Sequence, residues 1–371
     1  MTGSGLHRQG VARSLTWVGL IVVAGLASAC GGGQLDDGDA RADDPAPNTG
    51  DSGGTTGAGG STAPGGSTGS GGSTGSGGST GSGGSTGSGG SVLPSGPYGY
   101  VTPADVGSLV GAGSNGRPTP TETFGGGSIN SATVIENKVI TGAVSVNADN
   151  VVFRNVHFRN SARTMISVAI GVSGLTIEDS TIECTASPSE SGSKQVLVGE
   201  DLTNLTVRRT ELTGCSRLFI LDGNLDGFLW EHNVRHQAGP GFEPNGHSVG
   251  LHIAYFEPTY GDMTIRGSYF EQQNTTSYTD QISFGFAGLS SASLVVENSY
   301  FDQDLNYTIR CTANTDCAIV NSVFSADVWV ATQFENGAAS FDCNRRPDGS
   351  FVGSDGLIGG QADNSGCPNL P

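Results

Sequence analysis

The chain has 371 residues, with 17 basic residues against 35 acidic ones and a formal net charge of -18 at pH 7. That balance argues against nucleic acid as a partner, because phosphate contact needs a basic footprint. A strongly anionic sugar polymer would likewise need a local basic patch, and the acidity is read first as a solubility device.

Residues 1–29 read as a targeting segment. His7, Arg8 and Arg13 make a basic start, and the apolar run from Leu15 to Ala29 is too short to span a membrane. It ends in Leu26-Ala27-Ser28-Ala29-Cys30, which resembles the lipobox of bacterial lipoproteins, although Leu is more usual where Ala27 stands. The resemblance implies cleavage before Cys30, lipidation of Cys30, and export to the bacterial cell surface or outer membrane. Gly31 after the cysteine implies no retention at the inner membrane. The alternative is an ordinary secretory signal with an incidental cysteine.

Residues 30–94 read as a tether. An acidic patch (Asp36, Asp37, Asp39, Asp43, Asp44) precedes four copies of GGSTGS between Gly65 and Ser88. Such a composition cannot bury a core and predicts disorder. A Gly/Ser coil of this length spans roughly 40–50 Å root-mean-square.

Residues 95–371 read as one elongated domain built on a repeat. Seven stretches share a pattern: VVFRNVHF from Val151, LTIEDSTI from Leu175, LTVRRTEL from Leu205, FLWEHNVR from Phe228, MTIRGSYF from Met263, LVVENSYF from Leu294 and CAIVNSVF from Cys317. A weaker copy, TVIENKVI, starts at Thr133. A loosely fixed period of this size signals stacked repeats, none of which can bury its apolar face alone. Val, Ile, Thr, Phe and Tyr dominate, and the apolar spacing is mostly two, which suits strands. The fifth position is Asn155, Asp179, Gly267, Asn298 or Asn321, types that tolerate positive φ at a tight corner; Arg209 and His232 break that rule. The predicted fold is all-β: a right-handed parallel β-helix of about eight coils.

Six cysteines remain after Cys30, an even number that fits export. Cys184 and Cys215 each follow a repeat closely and should stack in adjacent coils. Cys311 and Cys317 are close in sequence, and Cys343 and Cys367 bracket the Gly-rich tail. These three pairings are expected. No CxxC spacing or His clustering suggests a metal, and no phosphate or dinucleotide loop suggests a cofactor.

The segment His247-Ser248-Val249-Gly250-Leu251-His252, followed by MTIRGSYF and then LVVENSYFDQDLNYTIRC, resembles bacterial right-handed parallel β-helix proteins of the pectin lyase-like superfamily. The resemblance covers roughly Thr133 to Phe324. It implies the fold and a choice among polysaccharide lyases, glycoside hydrolases, esterases, epimerases and adhesins. The group commonly has Asp where Val249 stands and Gln where His252 stands, and Val cannot serve as an acid, base or metal ligand.

The strands after each repeat carry the candidate surface. With Leu251, Ile253, Ile282, Phe284, Tyr307 and Ile309 inward, His252, Gln281, Ser283, Thr308 and Arg310 should point outward. Asp222, His252, Asp280 and Arg310 are the candidate catalytic groups on an exposed strip. Ser283, Trp230 and Tyr255 are candidate substrate contacts, with Phe256 and Tyr260 nearby. A hydrolase would use the carboxylate pair Asp222 and Asp280, and a lyase His252 or Arg310 as base. Each residue also has a structural reading: Asp222-Gly223 as a tight turn, Asp280 as a strand-end cap, Arg310 as a ladder partner and His252 as a solvated face residue. Two functions follow: a monomeric surface-anchored protein that binds or processes extracellular polysaccharide, or a non-catalytic structural or adhesive β-helix lipoprotein.

Overall fold

The computed structural model of the chain describes residues 94, 96, 98–185, 194–215, 217–236, 249–253, 260–272, 281–284, 291–303, 307–311, 316–325, 330–334, 339–353, 357–358 and 362–367. All lie in the compact unit Gly83–Pro371. Residues 1–29, expected to be a targeting segment, fall outside the described residues, as do Cys30 and almost all of the expected tether.

The domain is a right-handed parallel β-helix, as the repeat predicts. Three sheets of nine, ten and ten strands run its length among the described residues, each inner strand paired with its equivalents in the coils before and after. Every repeat supplies one strand to a first sheet, turns a corner, and supplies one to a second. The segment between repeats supplies the third. The first sheet exceeds the eight repeat copies by Ala339–Asp342 and Ala362–Asp363, short strands whose sequences lack the motif.

The eight positions of the repeat have separate physical jobs. Positions one and three point inward, as in Leu175 and Ile177 or Leu294 and Val296, and are buried. Position eight does the same on the second sheet, where Phe270, Phe301 and Phe324 stack with ring centroids 5.0 and 5.2 Å apart. Each fully buried Phe contributes about 1.5–3 kcal/mol through burial alone. Tyr269 and Tyr300, at position seven, stack outside the coil at 5.0 Å instead of joining that core.

Position five is the corner. Asn137, Asn155, Asp179, Asn298 and Asn321 all have φ between 49° and 58°, and Gly267 has 61°. Arg209 and His232 adopt the same conformation, at 47° and 52°, so the corner holds even where the residue type departs from expectation. At Arg209 the ladder compensates: its guanidinium bonds the corner residue of the preceding coil, Asp179, at 2.6 and 3.1 Å.

Position six seals the corner from inside. The backbone N–H of Thr210 donates to the Asn233 amide oxygen, that of Asn233 to the Ser268 hydroxyl, that of Ser268 to Ser299 and that of Ser299 to Ser322. Each rung satisfies a backbone donor that the turn takes out of the sheet ladders.

Position four forms a charge ladder. Glu136, Arg154, Glu178, Arg208, Glu231, Arg266 and Glu297 follow one another in register, alternating in sign through seven coils. Arg154 and Arg208 both bond Glu178, each at 2.5 Å, and Arg266 reaches Glu231 at 2.6 Å. Within these seven coils, from Glu136 to Glu297, each charge stands opposite one of the other sign, whereas Asp342 and Asp363 further on are like charges in register.

A segment before the first coil runs back along the corner. Val101 donates its N–H to Gly267 O, Gly111 to Arg209 O, and Gly113 to the Asn155 amide oxygen, while Asn155 donates to Pro118 O. Asn115 and Arg117 both bond Asp179. Val101, Leu109 and Val110 bury themselves on Val234 of the second sheet. The three expected disulfides are present: Cys184–Cys215, Cys311–Cys317 and Cys343–Cys367.

Candidate functional site

Four of the candidate residues, Asp222, His252, Ser283 and Arg310, lie on the third sheet. The parallel register aligns Ile220, His252, Ser283, Arg310 and Gln333 in one row through five successive coils. Strand spacing of about 4.8 Å makes His252 and Arg310 the two immediate neighbours of Ser283. Toward the start of the domain the same row continues as Val198, Ser167, Ser145 and Ser128. Asp222 ends the strand Arg217–Asp222, two residues beyond Ile220, and stands opposite Glu200. It therefore lies diagonal to His252, on the coil before it. Asp280 and Tyr255, with Phe256, lie outside the described residues.

Three expectations need correction. The row is not an open strip: Asp222 is 7% exposed, His252 8% and Ser283 1%, with Ile220 beside them at 3%. Alternation along a strand fixes the direction of a side chain but not what lies above it. Arg310 is the half-exposed member. The Ser283 hydroxyl is buried and makes no hydrogen bond.

Trp230 is not a substrate contact beside the strip. It occupies position three of its repeat, inward from the first sheet and wholly buried, with its ring edge-on to Phe219 at 5.3 Å and stacked on Phe270 at 6.1 Å. The period-two rule already places it there.

Gln281 and Thr308 do not point outward. Their row is Leu218, Gly250, Gln281, Thr308 and Ala331, in which Leu218 and Ala331 belong to the main core and both polar residues are fully buried. At this corner two consecutive residues of each strand face inward, as with the buried pair Met165 and Ile166. Strict alternation fails where the chain bends.

That corner houses a residue the sequence reading passed over. Arg235 takes position eight of FLWEHNVR, aligned with Leu212 and Phe270, and is only 1% exposed. It bonds the Gln281 amide oxygen. Gly250 makes the room: a Cβ there would lie 3.2 Å from the guanidinium. Burial drives the Arg235 pKa down to about 9, against the opposing charge of Glu271. The signal was visible, since this is the one copy whose last residue is not apolar.

Chemically, the row offers an imidazole, a hydroxyl, a guanidinium and, one coil away, a carboxylate. It can exchange a proton, donate to sugar hydroxyls and face a negative group. Among the described residues no group of three or more His, Cys, Asp or Glu side chains is arranged to hold a metal ion. No family model matches this chain, no curated protein matches it, and no solved structure matches it.

Proposed function

We propose that the protein is an exported, lipid-anchored β-helix of the pectin lyase-like kind that binds or processes extracellular polysaccharide. The observation that carries this reading is the unbroken row His252, Ser283 and Arg310 on the third sheet, with Asp222 beside it. The row sets an imidazole, a hydroxyl and a guanidinium on three successive coils with a carboxylate one coil away, a grouping able to meet sugar hydroxyls and an acidic sugar. Three disulfides in one domain fit an oxidising compartment and so support export.

A second reading, a non-catalytic structural or adhesive module, draws on the near closure of the row to solvent and on Val249 standing in place of a carboxylate. One experiment separates them. The purified chain is incubated with a panel of polysaccharides, and both new reducing ends and unsaturated products are read. Turnover lost in Arg310→Ala, with thermal stability unchanged, supports a catalytic row. Binding without turnover supports the adhesive reading. Neither binding nor turnover on any glycan removes polysaccharide from the proposal.

A further inference from the structure

The outer face of the second sheet carries a cluster that neither the repeat nor the row on the third sheet uses. His236 sits between Glu211, on the strand before it, and Glu271, on the strand after it. Its Nδ1 lies 3.0 Å from a Glu271 carboxylate oxygen. A ring nitrogen that close to a carboxylate must carry the proton, so in the neutral ring Nε2 keeps its lone pair. Nε2 faces Glu211 Oε1 at 3.9 Å, too far for a hydrogen bond. A neutral ring thus presents its Nε2 lone pair to a carboxylate oxygen across a gap, whereas a protonated ring makes the same contact an ion pair that a metal ion would replace. The other Glu211 oxygen is held by the Thr181 hydroxyl at 3.1 Å, and that hydroxyl accepts the Ala112 backbone N–H. Both sides of the gap are therefore braced.

We propose that His236 Nε2 and Glu211 Oε1 bind a divalent transition-metal ion between them, with Glu271 orienting the imidazole from behind. Imidazole with one carboxylate suits zinc, copper or nickel better than calcium or magnesium. Zinc bonds of about 2.0–2.2 Å at a tetrahedral angle place the two donor atoms about 3.4 Å apart, so a rotation of roughly 0.5 Å closes the gap. The carboxylate behind the ring is the arrangement that fixes the tautomer and raises ligand basicity in histidine metal sites. His236 is 22% exposed and Glu211 20%, which leaves an approach for the ion and for the waters that complete its shell. With two protein ligands the site is open and belongs to the micromolar range, not to the closed sites that hold a fold together.

The test is calorimetric titration of the full chain with Zn²⁺ at pH 7.5. One ion should bind per chain. His236→Gln and Glu211→Gln should each weaken binding at least tenfold, and Glu271→Gln should weaken it by about 10–100-fold. Zinc X-ray absorption should show one imidazole nitrogen and otherwise oxygen. Glu211→Gln can still accept the Thr181 bond, so it decides the matter if His236→Gln fails to fold. No zinc binding, or binding unchanged in Glu211→Gln, overturns the proposal. Neither result bears on the glycan reading.

Discussion

At the scale of single residues, Asp179 concentrates more stabilising contacts than any other corner residue described. Its side chain is 2% exposed and bonds Arg209, Arg117 and Asn115, so one carboxylate ties two coils to the segment before the first. Asp179→Asn should lower stability by about 2 kcal/mol at pH 7, measured by urea unfolding, since it leaves two guanidinium groups short of a partner. Burial pushes the Asp179 carboxyl up, but the Arg209 hydrogen bond and charge, Arg117 and Asn115 more than offset it and hold it below the ordinary range. At Glu178 burial likewise acts upward, and Arg154 and Arg208 outweigh it. Both carboxylates therefore release their protons at lower pH in the folded protein than in the unfolded chain. Their contribution is complete above the unfolded carboxylate range, around pH 4, and is lost as pH falls through the folded values. The gap between wild type and Asp179→Asn should shrink steadily below pH 4; a gap that stays constant to pH 2.5 would contradict this account.

Arg235 raises a different question at the same scale. A buried cation is costly to hold, and replacing a buried polar pair by apolar residues is often neutral or stabilising. Arg235→Leu alone leaves the Gln281 side-chain amide oxygen without this donor and should destabilise. Arg235→Leu with Gln281→Leu should recover most of that loss, as a double-mutant cycle of melting curves would reveal. Two additive losses would mean that Arg235 is held chiefly by groups other than Gln281.

At the scale of elements, the third sheet depends on a close approach at the strand Val249–Ile253. A Cβ on Gly250 would lie 2.0 Å from the Gln281 carbonyl oxygen as well as against the Arg235 guanidinium. Backbone cannot yield there without parting two strands. Gly250→Ala should cost about 3 kcal/mol, more than overpacking at a flexible side chain, and should raise hydrogen exchange in the strands Val249–Ile253 and Ile282–Phe284. Unchanged protection in both strands would place the strain elsewhere. These strands also carry His252 and Ser283, so the candidate row and the tightest packing share one frame.

At the scale of the whole molecule, stability is a sum of coils and the contacts between neighbours. The disulfides lie at Cys184–Cys215 between adjacent coils and at Cys343–Cys367 across the tail, and each should contribute about 2–4 kcal/mol. Thiol titration of the unfolded, unreduced chain, with Cys30 replaced by Ser, should find no free cysteine; two or more would break the set. In the native host Cys30→Ser should release the protein from membranes or block its processing. A mutant with unchanged membrane partition and mobility would remove the lipid anchor.

The sequence by itself determined the coil. Period two within each stretch and a motif returning every few tens of residues admit one economical solution, because each apolar face must be buried by its neighbour. The corner, the inward Phe stack and the cysteine pairs follow from the same stacking rule, which is local and repetitive. The tertiary structure alone decided what depends on side chains from different coils or from outside the repeat. It paired the position-four charges, which are scattered in sequence but consecutive in register. It turned Gln281 and Thr308 inward at a bend that period-two reasoning cannot see. It put His236 between two glutamates 25 residues before and 35 after it. It also closed the outer face over His252 and Ser283, because strand alternation sets where a side chain points while only packing sets whether solvent can reach it.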